Sequence, residues 1–561
     1  MFIMREMNKE NIIEIFASSF RQNWGLPVLT EFGSGTTMTY ADLARRIAAT
    51  HMLFKECGVK KGDKIALMGK NSIQWAVIYM ATFTYGAVIV PVLQDFNVQD
   101  AQHIINHSES VMLFINDSIF EHMEFEKIPN IRAVFSLDSR EVLAEHPANN
   151  HAAEKFLARL PEKMRKRYPH GFTTADVDYP LIDEEELAEI NYTSGTTGFS
   201  KGVMLTYRNL GGNTRYGLSQ HLHYRGSRCL SFLPLAHAYG CAFDLLTPLA
   251  AGSHVTVLGK LPTPKLLLKA FAEVKPNLIL TVPLILEKIY RNKLRPVLEK
   301  GLIKKLVAMP GVNKLIFRKI RKQLVDAFGG EFEQVIVGGA PLNHEVELFL
   351  HKIKFPFTVG YGMTECGPLI SYTHWTHYIV GSAGRTLPTM ESKIADSKDP
   401  EKSPGEICVR GENVMRGYYK NPEATEAVLD AEGWLHTGDM GTISHHGTIF
   451  IRGRYKTMIL SNTGQNIYPE EIEAKLNNMP YVAESLVVER GKTLVALVYP
   501  DYEALDKAGL PTEQLPEIME GVKADLNKLV APYERIDRIQ LIATEFEKTP
   551  KKSIKRYLYN A

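Results

Sequence analysis

From Asn71 to Gln94 the chain carries no charged residue, and the run NSIQWAVIYMATFTYGAVIVPVLQ must be shielded from water. Its length alone would permit a membrane-spanning helix. Gly86 and Pro91 interrupt it, however, and the part after the glycine, AVIVPV, is β-branched, which favours a strand. The sequence therefore predicts a buried helix, a glycine turn and a buried strand. Strands buried on both faces belong to parallel sheets covered by helices. No second uncharged stretch of this kind follows, so an integral membrane protein is not expected.

The rest of the first four-fifths supports the same class. MTYADLARRIAATHMLFKECG reads as a helix ended by Gly58, and DKIALMG as a short strand. HVTVLG, LILTVP and EQVIVGGAP are compact apolar runs closed by glycine or proline. Such alternation predicts an α/β fold with parallel-rich sheets and crossover helices. A chain of 561 residues needs more than one domain. A boundary is expected near GRYK, Gly453 to Lys456, beyond which a smaller αβ pattern forms a C-terminal domain. Net charge is only +2, which gives no bulk electrostatic case for nucleic acid. The five cysteines are odd in number and form no C-x-x-C pair, so neither a disulfide framework nor structural zinc is expected, and a reducing, cytoplasmic setting fits. MFIMREMNKE is charged too early for a secretory leader. Lys288 to Lys322 is rich in lysine and arginine; it reads as a solvated helical face, and a peripheral membrane-surface contact is the sharper alternative.

Three segments carry chemistry. In INYTSGTTGFSKG the residues Thr193, Ser194, Gly195, Thr196, Thr197 and Gly198 are small or hydroxylated, and Lys201 follows. Glycines admit an anion to backbone amides, hydroxyls donate and a lysine adds charge, so the loop suits phosphate; a plain surface loop is the alternative. Neither G-x-x-x-x-G-K-[ST] nor G-x-G-x-x-G is present, which excludes P-loop and dinucleotide fingerprints. In VGYGMTECGP, Tyr361 stands between glycines with its ring open to a flat ligand, and Thr364 and Glu365 place a hydroxyl beside a carboxylate. Glu365 suits a magnesium ion that bridges to phosphate, or is an ordinary acid on a glycine turn. In GWLHTGD, Asp439 sits on a glycine turn of the kind that binds ribose hydroxyls.

In this order YTSGTTGFSKG, GGAPL, GYGMTE, WLHTGD, GRYK and NIYPEEIE resemble the AMP-forming acyl-CoA synthetases of the adenylate-forming enzyme family, with luciferases and adenylation domains. The match spans Tyr192 to about Arg556, and the first 190 residues are compatible with it. The resemblance implies a large N-terminal domain of layered αβ subdomains (1–453), a hinge (454–456) and a small mobile α+β C-terminal domain (457–561). It implies that the loop from Thr193 to Lys201 cradles the β- and γ-phosphates of ATP, and that Gly338, Gly339, Ala340 and Tyr361 enclose adenine. Thr364 would contact the α-phosphate and Glu365 the Mg2+, while Asp439 and Arg454 would hold the ribose. Lys456 matches the hinge, and Gly464 the loop lining the coenzyme A tunnel. Val359 departs from the polar residue common at its position, so any adenine contact there would use its backbone.

The activity implied is ATP-dependent conversion of a carboxylic acid to acyl-AMP, then transfer to the thiol of coenzyme A. FLPLAHAYG, with His237 near the acyl pocket, and the basic insertion before Gly338 resemble the long-chain members, implying a medium- to long-chain fatty acid. In the tail EKTPKKSIKRYLYN, Ser553 falls where the family places its catalytic lysine; a one-residue shift assigns that role to Lys552, with Lys551 next. Two alternatives stay open: an acyl-AMP ligase that loads a carrier protein, and a nucleotide-binding homologue without turnover.

Overall fold

The computed structural model describes residues 10–149, 151–193, 200–309, 311–460, 465–491, 493–549 and 553–559. The uncharged run folds as a helix, Ile73–Tyr85, and a strand, Val88–Val92. Ser72 caps the helix by accepting from the Trp75 N–H at 3.1 Å. Gly86 ends it in the left-handed region at φ 85°, a conformation that glycine adopts without a Cβ penalty. Trp75, Tyr79 and Phe83 stack along one side, with successive ring centroids 5.4 and 6.3 Å apart. The Tyr79 hydroxyl donates to Glu189 Oε2 at 2.6 Å, which gives that buried carboxylate a partner. Every residue of the strand is buried. Among the described residues no helix is long and apolar enough to cross a membrane.

That strand sits near the middle of an eight-stranded sheet. Its neighbours Lys64–Met68 and Leu187–Thr193 run parallel to it, and the sheet continues through Ser110–Ile115 and Ala133–Ser136. A second sheet of seven strands is parallel from Phe357–Val359 through Gln334–Val337, Leu278–Thr281, Arg228–Ser231 and His254–Val257 to Pro27–Glu31. Helices cover these sheets and share one apolar core that reaches from Ile12 to Ile449. The parallel-rich α/β architecture expected from the alternating runs is therefore present.

Beyond Val359 the alternation stops. Tyr361–Gly362, Leu369–Tyr372 and Arg385–Thr386 form a small antiparallel sheet. Met390–Ile394, Gly405–Gly411, Leu435–Ile443 and Ile449–Arg454 form another. Antiparallel neighbours need only short turns, and here no helix of crossover length separates the strands. The chain leaves the large core after Ile451, and Ile459 packs against a separate one. This smaller body holds strands Val482–Arg490, Thr493–Pro500 and Ile536–Leu541, with helices Pro469–Leu476 and Leu515–Leu529. In the basic segment, helix Val312–Ala327 buries Phe317, Ile320 and Leu324 at helical spacing, while Leu315 on its outer side is 69% exposed.

The aromatic ladder gives a test of the core. Phe83 touches both Phe16 and Tyr207, with centroids at 5.8 and 4.6 Å. Phe83→Ala should destabilise the large body by about 3–5 kcal/mol, as large-to-small core truncations do. Urea titration followed by tryptophan fluorescence measures it, and a shift below ~1 kcal/mol would show that the ladder is not a packing keystone.

Candidate functional site

A cavity of about 2260 Å3 opens where the carboxyl ends of the parallel strands meet the antiparallel sheet and the C-terminal body. Thr193, Lys201, His237, Gly339, Ala340, Thr364, Glu365, Arg454 and Lys456 all line it. Gly338, Tyr361 and Asp439 stand behind its wall. Ser194, Gly195, Thr196, Thr197, Gly198, Gly464, Lys551 and Lys552 lie outside the described residues.

One wall combines a cation, an aromatic ring and a carboxylate. Thr193 and Lys201 are cross-strand partners at the ends of two antiparallel strands, so the glycine- and hydroxyl-rich segment connects them. Lys201 Nζ lies 4.9 Å from the centroid of the Tyr418 ring. The Tyr418 hydroxyl donates to Glu365 Oε1 at 2.8 Å. Burial, reinforced by the Glu365 charge, pushes the Tyr418 phenol upward, so it stays a donor at neutral pH. Thr364 and Glu365 belong to a short 3-10 turn, Thr364–Cys366, that follows Gly362. A Cβ at Gly362 would lie 2.3 Å from the carbonyl oxygen of Pro368, so only glycine allows this approach. The Glu365 carboxylate and the Thr364 and Thr193 hydroxyls are hard oxygen donors at the cavity wall, the donor type that magnesium takes.

The acid of the GWLHTGD turn is fixed from two sides. Tyr361 donates its hydroxyl to Asp439 Oδ2 at 2.6 Å, and Arg454 Nε lies 2.8 Å from Asp439 Oδ1. Asp439 and Arg454 face each other across paired strands. Burial raises the Asp439 carboxyl, while the Arg454 guanidinium and the Tyr361 hydroxyl work against that rise. The Tyr361 ring is buried in this arrangement, whereas the sequence suggested a ring open to a flat ligand; the hydroxyl's bond to Asp439 draws it inward. Gly338 lets the Tyr239 ring pack close, since a Cβ there would meet that ring at 3.2 Å.

The cavity also has an apolar arm. Leu258, Leu267, Phe271, Ile289, Leu324 and Phe328 line it, and His237 stands in the wall of the same cavity. His237 Nδ1 accepts from the Tyr239 N–H at 3.3 Å. The next helical turns, Cys241–Leu246, are π-helical, and they carry the fully buried Asp244. Asp244 Oδ1 accepts from the Cys229 thiol at 3.4 Å, and Oδ2 has no hydrogen-bond partner among the described residues. Burial pushes this carboxyl up to about 8.

The C-terminal tail forms the remaining side. Lys548, Thr549, Ser553, Lys555 and Arg556 face the cavity. Lys548 Nζ is paired with Glu484 at 2.6 Å, Lys555 Nζ with Glu547 at 3.5 Å, and Arg556 with Glu473. Sequence reasoning missed Tyr418 and Lys548. Tyr418 is 53 residues from Glu365, and no local pattern links them. Lys548 lies in the quoted tail, but only the fold shows that it faces the cavity.

Comparison with known proteins adds a family to this geometry. A sequence family described as AMP-binding enzyme matches residues 16–419. A long-chain-fatty-acid–CoA ligase of Mycobacterium bovis is 29% identical, with 93% of this chain and 90% of the relative covered. A long-chain-fatty-acid–CoA ligase of Salmonella typhimurium is also 29% identical, over 83% of this chain and 80% of its own. Among solved structures, ATP-bound MatB from Rhodopseudomonas palustris superposes with a TM-score of 0.75 at 22% identity, covering 98% of each chain. A Mycobacterium tuberculosis fatty acyl CoA synthetase gives 0.65 at 19% identity, covering 98% and 97%.

Asp244 yields a pH prediction. Its folded-state value lies above the unfolded one, so the folded chain keeps a proton that the unfolded chain loses as pH rises past the ordinary 3.8. Stability from this group is therefore full below that value and falls as pH rises to about 8. Each pH unit inside the window costs about 1.4 kcal/mol. Asp244→Asn should flatten the decline of the denaturation midpoint between pH 5 and pH 8 (roughly that window). An unchanged slope would show that Asp244 is not held protonated.

Proposed function

Because the chain belongs to the AMP-binding enzyme family, we propose that it activates a medium- to long-chain fatty acid with ATP, releases pyrophosphate and passes the acyl group to the thiol of coenzyme A. One observation carries the reading: a single cavity is lined both by lysine, hydroxyls and carboxylate and by a group of apolar side chains. The first wall suits a triphosphate with its magnesium, the arm suits an alkyl chain, and His237 lies in the wall of the same cavity. The names of the curated relatives point to the same substrate class.

A carboxylate lacks a leaving group, and AMP supplies one. Bringing the fatty carboxylate up to the α-phosphate opposes two anions, so catalysis rests on positioned positive charge. Lys201 and the hydroxyls beside it hold the outer phosphates, Thr364 the α-phosphate, and Asp439 with Arg454 the ribose. Glu365 would hold magnesium, whose charge offsets that of the phosphates. Gly338, Gly339, Ala340 and Tyr361 shape the adenine side. Residues 1–453 form the stationary body, and residues 457–561 turn about the hinge at 454–456 to admit the thiol along the Gly464 loop. In the pose described, the C-terminal tail faces the cavity, as adenylation requires. Lys552 is the proposed tail lysine; Lys548 and Lys555 are the described lysines on that side. Ser553 at the family's lysine position favours one second reading, a homologue that binds ATP without turnover.

ATP–pyrophosphate exchange with a series of carboxylic acids, followed by thioester formation with coenzyme A, tests the assignment. Rates should rise with chain length, each methylene adding ~0.8 kcal/mol until the arm is filled. A flat profile from acetate upward would sink the fatty-acid assignment, and ATP binding with no exchange for any acid tried would favour the second reading. Glu365→Ala should lower exchange on the order of 10²-fold while leaving the fold intact. Lys552→Ala should abolish adenylation but spare thioester formation from acyl-AMP made beforehand. Full exchange in that variant, with loss in Lys548→Ala or Lys555→Ala, would move the role to the other lysine.

A further inference from the structure

Beside the cavity, on the two central strands of the four-stranded antiparallel sheet, three side chains of different chemistry converge. Cys408 and His436 are cross-strand partners, and Glu406 lies two residues before Cys408 on the same strand, at an irregularity in the pairing. Cys408 Sγ is 3.5 Å from His436 Nδ1, and Glu406 Oε2 is 2.8 Å from the same nitrogen. One ligand atom from each of the three lies within 4.8 Å of the others, the only such group among the described residues.

As hydrogen bonds these contacts serve the sulfur poorly. A proton on Nδ1 satisfies the carboxylate, which leaves Cys408 Sγ a weak acceptor from that nitrogen and a thiol donor only at 3.9 Å from the Glu406 carbonyl oxygen. A cation between the three atoms satisfies all of them at once. Glu406 has an oxygen to spare for it, because Oε1 accepts from the Gly438 N–H at 2.9 Å while Oε2 faces the histidine. Glu406 and His436 line the cavity, so an ion has a route in, and Cys408 closes the inner side. We propose that Glu406, Cys408 and His436 form a binding site for a borderline-soft divalent cation of the zinc class, with water from the cavity in the fourth position. Sulfur, imidazole and carboxylate together are the donor set of such ions and not of magnesium, which takes oxygen ligands. Binding replaces the thiol proton by the metal, so affinity rises with pH.

Cobalt(II), added to the full-length protein in excess magnesium, reports directly on a thiolate ligand. One equivalent should bind with thiolate-to-cobalt charge-transfer absorption in the near ultraviolet, and zinc should displace it. Cys408→Ser should lose that absorption, and His436→Gln should bind cobalt at least ~tenfold more weakly. Circular dichroism of each variant without cobalt confirms that it is folded. If Cys408→Ser does not fold, His436→Gln decides, and unchanged affinity there overturns the proposal. No charge-transfer absorption in the unaltered protein, or its persistence in folded Cys408→Ser, also overturns it and leaves an ordinary histidine–glutamate pair.

Discussion

The carboxylate of Asp439 is buried, and a buried charge persists only where its hydrogen-bonding needs are met. Its two partners come from different parts of the molecule. Tyr361 belongs to the small sheet that follows the parallel strands, and Arg454 ends the strand from which the chain leaves for the C-terminal body. One acid thereby ties the cavity wall to the start of the connection between bodies. Arg454 remains half exposed, so this link stays reachable from solvent and from the cavity. Replacing either partner would leave the carboxylate buried with half its bonds, which costs more than the lost contact alone.

The cavity follows from topology before it follows from any motif. In the seven-stranded sheet, Arg228–Ser231, Leu278–Thr281, Gln334–Val337 and Phe357–Val359 run parallel and end on the same side. The segments leaving those ends carry His237, Pro283, Gly339 and Thr364, all at the cavity surface. Open parallel sheets bind ligands at the carboxyl ends of their strands because the crossovers leave a crevice there. Here the antiparallel sheet and the C-terminal tail roof that crevice, and the helices around Phe271 and Leu324 extend it as the apolar arm.

The contacts that hold the C-terminal body differ in kind from those inside either body. Each body has its own apolar core. Across the gap run polar contacts: Asn343 Nδ2 donates to Asn478 Oδ1 at 2.7 Å, Arg295 Nη1 to the Asn478 carbonyl at 3.2 Å, and Arg452 pairs with Glu471 at 3.6 Å. Polar, partly exposed contacts exchange for water at little net cost, so a surface of this kind permits rearrangement that a shared apolar core would forbid.

Much of this was legible from the chain alone. The uncharged run fixed a buried helix and strand, because twenty-odd residues without charge have few ways to avoid water. Thr193, Lys201, Thr364 and Glu365, singled out because anion binding makes local demands on residue type, line the cavity, while Ser194 to Gly198 lie outside the described residues. The antiparallel region after Val359 was not legible, because short strands with polar turns give weak periodicity. Nor could sequence reveal that Tyr418 meets Glu365, that Tyr361 turns inward to Asp439, or that Lys548 faces the cavity. Those contacts join residues far apart in the chain, and their geometry is set by strand pairing and the packing of separate bodies. Residue chemistry determined what could be bound; only the tertiary structure decided which side chains meet to bind it.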